Sequence, residues 1–295
     1  MTSLQANLRG ISMILLSSLV FILNDTLIKL ASERLPTGQI LVMRGSVAFL
    51  VILGLLVATG THRQWRLALH PLVFWRTVGE VAATILYLYA LFHMPIANIS
   101  AVNQIVPLMT TAAAALFLGE VVGWRRWTAI AVGFVGVMII MRPGLDGFDA
   151  YSLAALGSMA FITMRDLVTR SFPVGMPVLL VTTVTAGAVT LAGLSISFSE
   201  TWLVPTTEEW IILAGAACLL LVGYGTIILA MRGGSMAVIA PFRYCIIVYA
   251  IILGYLVWGD IPDTATLIGT AIVVATGLYS IHRERQVALV SRSSA

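Results

Sequence analysis

Eight charged side chains fall within, or near the ends of, long apolar stretches of this chain: Asp25, Lys29, Arg44, Arg76, Glu80, Arg165, Asp166 and Arg243. Catalysis would need a nucleophile–base pair or a metal cluster among such residues, and neither spacing is present. The four histidines, His62, His70, His93 and His282, sit at loops or the ends of apolar runs, and Cys218 and Cys245 form no CxxC or His/Cys pattern. No catalytic residue, metal or cofactor is therefore expected. Charge pairing and binding remain. Arg76 and Glu80 stand four apart, on one helical face, and can pair locally. Asp25 and Arg44 are expected as a structural ion pair, and Lys29 as a snorkelling residue near a membrane surface. Arg243 lies inside MAVIAPFRYCIIVYAIILGYL (Met236–Leu256), two residues after Pro241. Asp166, beside Arg165, is its expected protein partner. Equally, its planar fork suits an anionic or polar group of a bound molecule. Both readings stand at this stage.

The elements that must position these groups are membrane helices. Of 295 residues, 59% are hydrophobic and 10% charged, where soluble domains carry roughly a quarter charged residues. Apolar runs of about 20 residues recur from end to end. They give ten expected spans, at about 10–31, 38–59, 72–93, 97–118, 124–142, 151–171, 177–198, 209–230, 235–258 and 264–282. The first, preceded by MTSLQANLRG, reads as a retained span and not as a cleaved signal. The connections are too short for a soluble domain, so the chain acts in or across the bilayer, its one macroscopic partner.

Loop charges orient the spans. Arg9, Arg63, Arg66, Arg125, Arg126, Arg170, Arg232 and Arg283 fall on one side if the spans alternate; the other has Arg34, Arg142 and most loop acids, among them Glu33, Glu200, Glu208, Glu209, Asp260 and Asp263. Positive-inside then places both termini, and the tail 283–295, in the cytoplasm. The pI near 9.3 is explained by this bias better than by nucleic-acid binding.

The two halves repeat. ALFLGEVVGWRRWTAIAVG, ending span 4 and opening span 5, aligns with YLVWGDIPDTATLIGTAIV in spans 9 and 10, so Gly119-Glu120 matches Gly259-Asp260. NDTLIK in span 1 aligns with RDLVTR in span 6, pairing Asp25 with Asp166 and Lys29 with Arg170. Offsets of 141 and 140 residues agree. Each repeat holds five spans, an odd number, so the second must enter the membrane from the opposite side. The expected fold is all-α, ten transmembrane helices in two inverted five-helix repeats, 10–142 and 151–282, around a central cavity. Only Pro107 and Pro241 lie well inside spans, and these are spans 4 and 9, which correspond in the repeat. Interrupted helices at equivalent positions point to a transport site. Asn103 corresponds to Arg243, with Gln104 next to it; Tyr87, Tyr89, Tyr224, Tyr244 and Tyr249 lie near these levels. Together they would line a mostly apolar pocket with a few polar groups. Ala129-x-x-x-Gly133 and Ala271-x-x-x-Ala275 suit close helix packing.

With ten spans, the repeat, and FLGE at 117–120 echoed by VWGD at 257–260, the chain resembles the EamA-type members of the drug/metabolite transporter superfamily over residues 10–282. The resemblance implies alternating access for small organic solutes, in the inner membrane of a bacterium. Asn24, Asp25 and Lys29 of the NDxxxK segment, the APFRY segment ending at Tyr244, and GDIPD followed by TLIG resemble bacterial uptake carriers for riboflavin or S-adenosylmethionine. Riboflavin is the substrate expected first: its flat ring would stack on Tyr or Trp, and its polar edge needs amides and an Arg. S-adenosylmethionine, with its sulfonium, would ask for a carboxylate such as Asp166 or an aromatic face. Relatives also export amino acids and other metabolites. An intramembrane enzyme is the remote alternative. Asp25, Glu80 or Asp166 are the carboxylates available for a coupling proton, and the sequence selects none of them.

Overall fold

The computed structural model describes residues 3–142, 149–233 and 236–293, and these contain helices and connections but no strand. Twelve α-helices follow in order: α1 (Ser3–Ser32), α2 (Thr37–Ala58), α3 (Pro71–His93), α4 (Ile96–Asn103), α5 (Val106–Phe117), α6 (Trp124–Met141), α7 (Ala150–Arg170), α8 (Val178–Ser197), α9 (Thr207–Gly233), α10 (Met236–Ile239), α11 (Cys245–Trp258) and α12 (Thr264–Ser293). Short 3-10 helices occupy Thr61–Leu69 and Ala240–Tyr244. Prolines set several starts. Pro36, Pro95 and Pro177 precede α2, α4 and α8, and Pro71 opens α3, positions where the missing N–H costs nothing. Many apolar side chains lie on the outside, Leu50, Phe117, Leu191 and Leu256 among them, as a hydrocarbon solvent requires.

Among the described residues, nine helical segments are long and apolar enough to cross a membrane, with α4 and α5 together forming one of them. Ten were expected. The tenth, α7, is a helix of 21 residues over the expected range. Its Arg165, Asp166 and Arg170 hold it below the apolarity of the other nine. Beyond the last expected span, α12 continues helically through the basic tail to Ser293.

The chain divides into two compact units that interleave along the sequence. One holds residues 1–23, 94–152 and 222–295; the other holds 24–93 and 153–221. Each therefore draws on both halves of the sequence repeat, and α1, α9 and the first turn of α7 are divided between the units. We refer to them as the broken-helix unit and the charged unit, for reasons given below.

In the charged unit, α2 and α8 cross closely. A Cβ added at Gly193 would lie 2.6 Å from Leu41 Cβ and 3.2 Å from the Val42 backbone nitrogen. The connection after α8 is tied to the start of α2: Gln39 donates to the Leu203 carbonyl at 2.7 Å and accepts from its N–H at 3.0 Å. Beside it, the Gly38 N–H donates to Glu200 Oε2 at 2.8 Å, and Arg34 pairs with Glu209 and donates to the Val204 carbonyl. Glu209 also accepts from the Thr206 N–H, which caps the first turn of α9.

In the broken-helix unit, the counterpart crossing is α6 on α12. Gly136 and Gly269 face each other's carbonyls, at 2.9 and 2.5 Å from an added Cβ. Gly133 meets Leu108, Ile105 and Thr276, so the small-residue stripe of α6 seats α5 as well as α12. The duplicated FLGE and VWGD segments have a backbone explanation. Gly119 and Gly259 have φ of 70° and 72°, and the following N–H in each case bonds six residues back, Glu120 to Ala114 at 3.3 Å and Asp260 to Gly254 at 3.1 Å. Both helices end on a residue in the left-handed conformation, which favours glycine. Arg142, ending α6, pairs with Asp263, which caps α12 through the Thr266 N–H at 2.9 Å.

The α2–α8 crossing predicts a contrast between two glycines. Gly193→Val drives a side chain into backbone and destabilises the fold by about 1–3 kcal/mol. Gly54→Val, also on this crossing pair of helices but with open space around its Cβ site, leaves thermal unfolding in detergent almost unchanged.

Candidate functional site

The broken-helix unit carries the two interrupted spans. The first breaks at Gln104 and Ile105, between α4 and α5, because Pro107 in the first turn of α5 has no N–H to bond back to Asn103. The second breaks at Pro241, where the helix narrows to the 3-10 turn Ala240–Tyr244 before α11 resumes. Gly254 of α11 packs on Ile96 of α4, 3.2 Å from an added Cβ. Asn103 and Gln104 stand at the first break, Gln104 almost fully buried. Arg243 and Tyr244 end the second. Arg243 is exposed. Tyr244 is buried, with its ring over Gly277 of α12 and its hydroxyl where a Cβ of residue 277 would stand. Beside the break, Pro241, Phe242, Tyr244, Cys245, Thr270 and Leu278 line a mostly apolar groove of about 450 Å³. Tyr224 of α9 is exposed and meets Phe21 edge-on at 5.4 Å between centroids. Ser17 donates to the Gly223 carbonyl at 3.0 Å, fixing α1 to α9 at this level.

The charged unit holds two clusters on one face of α3. In the first, Asp25 accepts from the Tyr87 hydroxyl at 2.7 Å and from Asn24 Nδ2 at 2.9 Å, and Arg44 donates to Asn24 Oδ1 at 3.3 Å. The expected pair Asp25 and Arg44 is thus joined through Asn24. Asn24, Lys29 and Arg44 are buried, whereas Asp25 and Tyr87 keep partial exposure.

In the second cluster, Arg165 is the hub. Its Nη1 lies 3.2 and 3.3 Å from the two Glu80 oxygens, and its Nε and Nη2 lie 3.0 and 2.9 Å from Asp166 Oδ1. Arg76 reaches Glu80 at 3.5 Å. Gly79 makes the approach possible, since a Cβ there would lie 3.2 Å from Arg165 Cβ and 3.3 Å from its nitrogen. Glu80 and Tyr87 are two helical turns apart, about 10 Å. Sequence spacing gave Arg76–Glu80 but not Arg165–Glu80, which bridges α3 and α7. It also left Asn24 without a role, though the repeat offset aligns it with Arg165. Asp166 is bonded to Arg165 in its own unit; Arg243 belongs to the other unit. Among the described residues no three His, Cys, Asp or Glu side chains converge as metal ligands do.

Residues 8–142 match the model of the EamA-like transporter family. The N-terminal half is an EamA-type domain. With nine membrane-length helices among the described residues, that match points to a membrane transporter. Its likeness to characterised proteins runs almost the full length. It is 26% identical over 294 residues to the S-adenosylmethionine uptake transporter of Rickettsia conorii, covering 96% of each chain. It is 28% identical over 276 residues to the riboflavin transporter of Vibrio cholerae, covering 90% of this chain and 91% of that one. The pseudopaline exporter CntI of Pseudomonas aeruginosa is 26% identical over 266 residues, 90% of this chain and 93% of its own. One solved crystal structure superposes with a TM-score of 0.62 at 18% identity, over 95% of this chain and 98% of its own, a likeness of fold alone.

The Arg165 hub makes a coupling prediction. Arg165→Ala and Glu80→Ala each destabilise the protein, and the double substitution costs less than their sum by about 0.5–3 kcal/mol, the range for residues sharing one network. Thermal unfolding of the four proteins in one detergent measures that difference.

Proposed function

We propose that this chain is an alternating-access uptake carrier for a small zwitterionic metabolite, with S-adenosylmethionine the first candidate. The observation that carries the reading is the likeness to an S-adenosylmethionine uptake transporter across 96% of both chains. The side-chain chemistry supports the same order. S-adenosylmethionine bears a carboxylate, an ammonium and a sulfonium, and Arg243 at the second helix break suits the carboxylate. Riboflavin, expected first from the sequence, is neutral and would rely on stacking and amides. Of the tyrosines available for stacking, Tyr87 is bonded to Asp25 and the Tyr244 ring is packed on Gly277. Riboflavin remains the second reading, favoured by the 28% identity to a riboflavin transporter and by Asn103 and Gln104 at the first helix break.

The carrier works in a bacterial inner membrane as ten helices, α7 included, in two inverted repeats, with both termini in the cytoplasm. Pairing Arg165 with Glu80 and Asp166 lowers the cost of placing α7 in hydrocarbon, which is at least ~2–3 kcal/mol for each unpaired charge. The broken spans leave backbone groups free to line the transport path. Arg243, Tyr244, Asn103, Gln104 and Tyr224 contact the substrate, and Pro107 and Pro241 set the breaks.

Purified protein in liposomes should take up labelled S-adenosylmethionine, with unlabelled S-adenosylmethionine competing better than riboflavin. Competition by riboflavin alone would reverse the order, and uptake of neither would sink the reading. Arg243→Ala should abolish uptake while leaving expression and monodispersity in detergent intact; normal uptake by that variant removes Arg243 from the path.

A further inference from the structure

Three carboxylates stand at membrane depth in the charged unit, and their partners differ in kind. Glu80 is held by Arg165 and Arg76, and Asp166 by Arg165, all within 3.5 Å. Each of these two carboxylates lies directly against a guanidinium. Asp25 instead accepts from two neutral donors, the Tyr87 hydroxyl and the Asn24 amide. Both remain competent to hold it after protonation: one carboxyl oxygen carries the proton, and the phenol or amide can turn or continue to donate.

The sequence repeat sharpens the contrast. Asn24-Asp25 aligns with Arg165-Asp166, and the local geometry is duplicated. In each pair the first side chain donates to Oδ1 of the next residue, at 2.9 Å from Asn24 and 3.0 Å from Arg165. In one repeat a guanidinium bonds directly to the aspartate; in the other an amide does, and the nearby cation, Arg44, bonds to that amide and acts on Asp25 from beyond it. Asp25 also keeps partial exposure beside buried Asn24 and Thr26.

We propose that Asp25 is the coupling site of the carrier, binding one proton per transport cycle, with Tyr87 and Asn24 as the groups that hold both its charged and neutral forms. The step is a simple acid–base one: a proton from the aqueous side adds to an Asp25 oxygen and leaves to the opposite side. It rests on the transporter reading and adds its energy source. The charged and titratable groups around Asp25 are few. On α1 itself, Lys29 lies one turn on. From α2 comes Arg44, engaged with Asn24, and from α3 comes Tyr87. Helix α7 meets this level of α3 with Gly157 against Leu86, and its Arg165 and Asp166 are eight and nine residues farther along. Helix α9 approaches α1 with Gly215 against Leu27; Cys218 follows, and Glu208 and Glu209 stand in its first turn. Helix α8 carries no titratable side chain.

The test has two arms. In nanodiscs, infrared difference spectra recorded across a pH titration should show a protonated-carboxyl stretch that vanishes in Asp25→Asn and moves in frequency in Tyr87→Phe, where the carboxyl loses a donor. This arm needs no substrate. In liposomes clamped at zero membrane potential, an inward proton gradient should drive the wild type to accumulate labelled S-adenosylmethionine above its external concentration. Asp25→Asn should lose that accumulation and keep counterflow, the exchange of labelled for unlabelled substrate. A titrating band unchanged in Asp25→Asn, gradient-driven accumulation by that variant, or loss of its counterflow each overturns the proposal; the last would make Asp25 a substrate ligand. A wild type that shows the Asp25 band but moves no S-adenosylmethionine would overturn the substrate reading and leave the proton site standing.

Discussion

Hydrocarbon leaves a guanidinium no solvent, so its partners must come from the protein, and the placement of partners around Arg165 organises the charged unit. One arginine bridges α3 and α7 by meeting Glu80 across the helix gap and Asp166 on its own helix. The bridge requires a close approach, and Gly79 supplies it by presenting no side chain to the Arg165 backbone. Its energetic meaning is conditional. Replacing such a network by apolar residues is often neutral, whereas removing one member leaves a stranded charge. The network therefore fixes which helices are neighbours more than it raises stability.

Much of this was legible in the sequence because a membrane imposes few options. Apolar length forced helices, and the helices occur where periodicity and length placed them. The mid-span prolines announced the breaks, since a missing N–H has one consequence in a helix. Tertiary partnership was less legible. Spacing finds Arg76 and Glu80 because they share a helix, but it has no access to Arg165 and Glu80, 85 residues apart. Small-residue patterns pointed to Ala129, Gly133, Ala271 and Ala275. The tightest crossing falls instead at Gly136 and Gly269, because contact depends on the angle between α6 and α12, which one-dimensional spacing does not encode. α7 shows the opposite limit: its charges depress its apolarity, and only their partners explain how such a helix is accommodated.

The interleaving of the units also has a physical reading. Each contains one tight glycine crossing, α2 on α8 or α6 on α12, which gives it a rigid spine independent of the other. The residues with chemical potential are then attached to each spine in different ways. In one unit they project from continuous helices and answer one another. In the other they sit where the backbone itself has been opened, at Gln104–Ile105 and at Ala240–Tyr244.

A duplicated chain separates scaffold from chemistry by what its two copies share. Gly119 and Gly259 have the same residue, the same positive φ and the same six-residue hydrogen bond, because both copies need the helix to stop in the same way. Pro107 and Pro241 likewise open the same span in each copy. The side chains placed by that common scaffold diverge: Asn24 against Arg165, each donating to the aspartate that follows, and Asn103 against Arg243 beside the breaks. A backbone device of this kind ends or opens a helix in the same way wherever it occurs, so the two sequence copies share it.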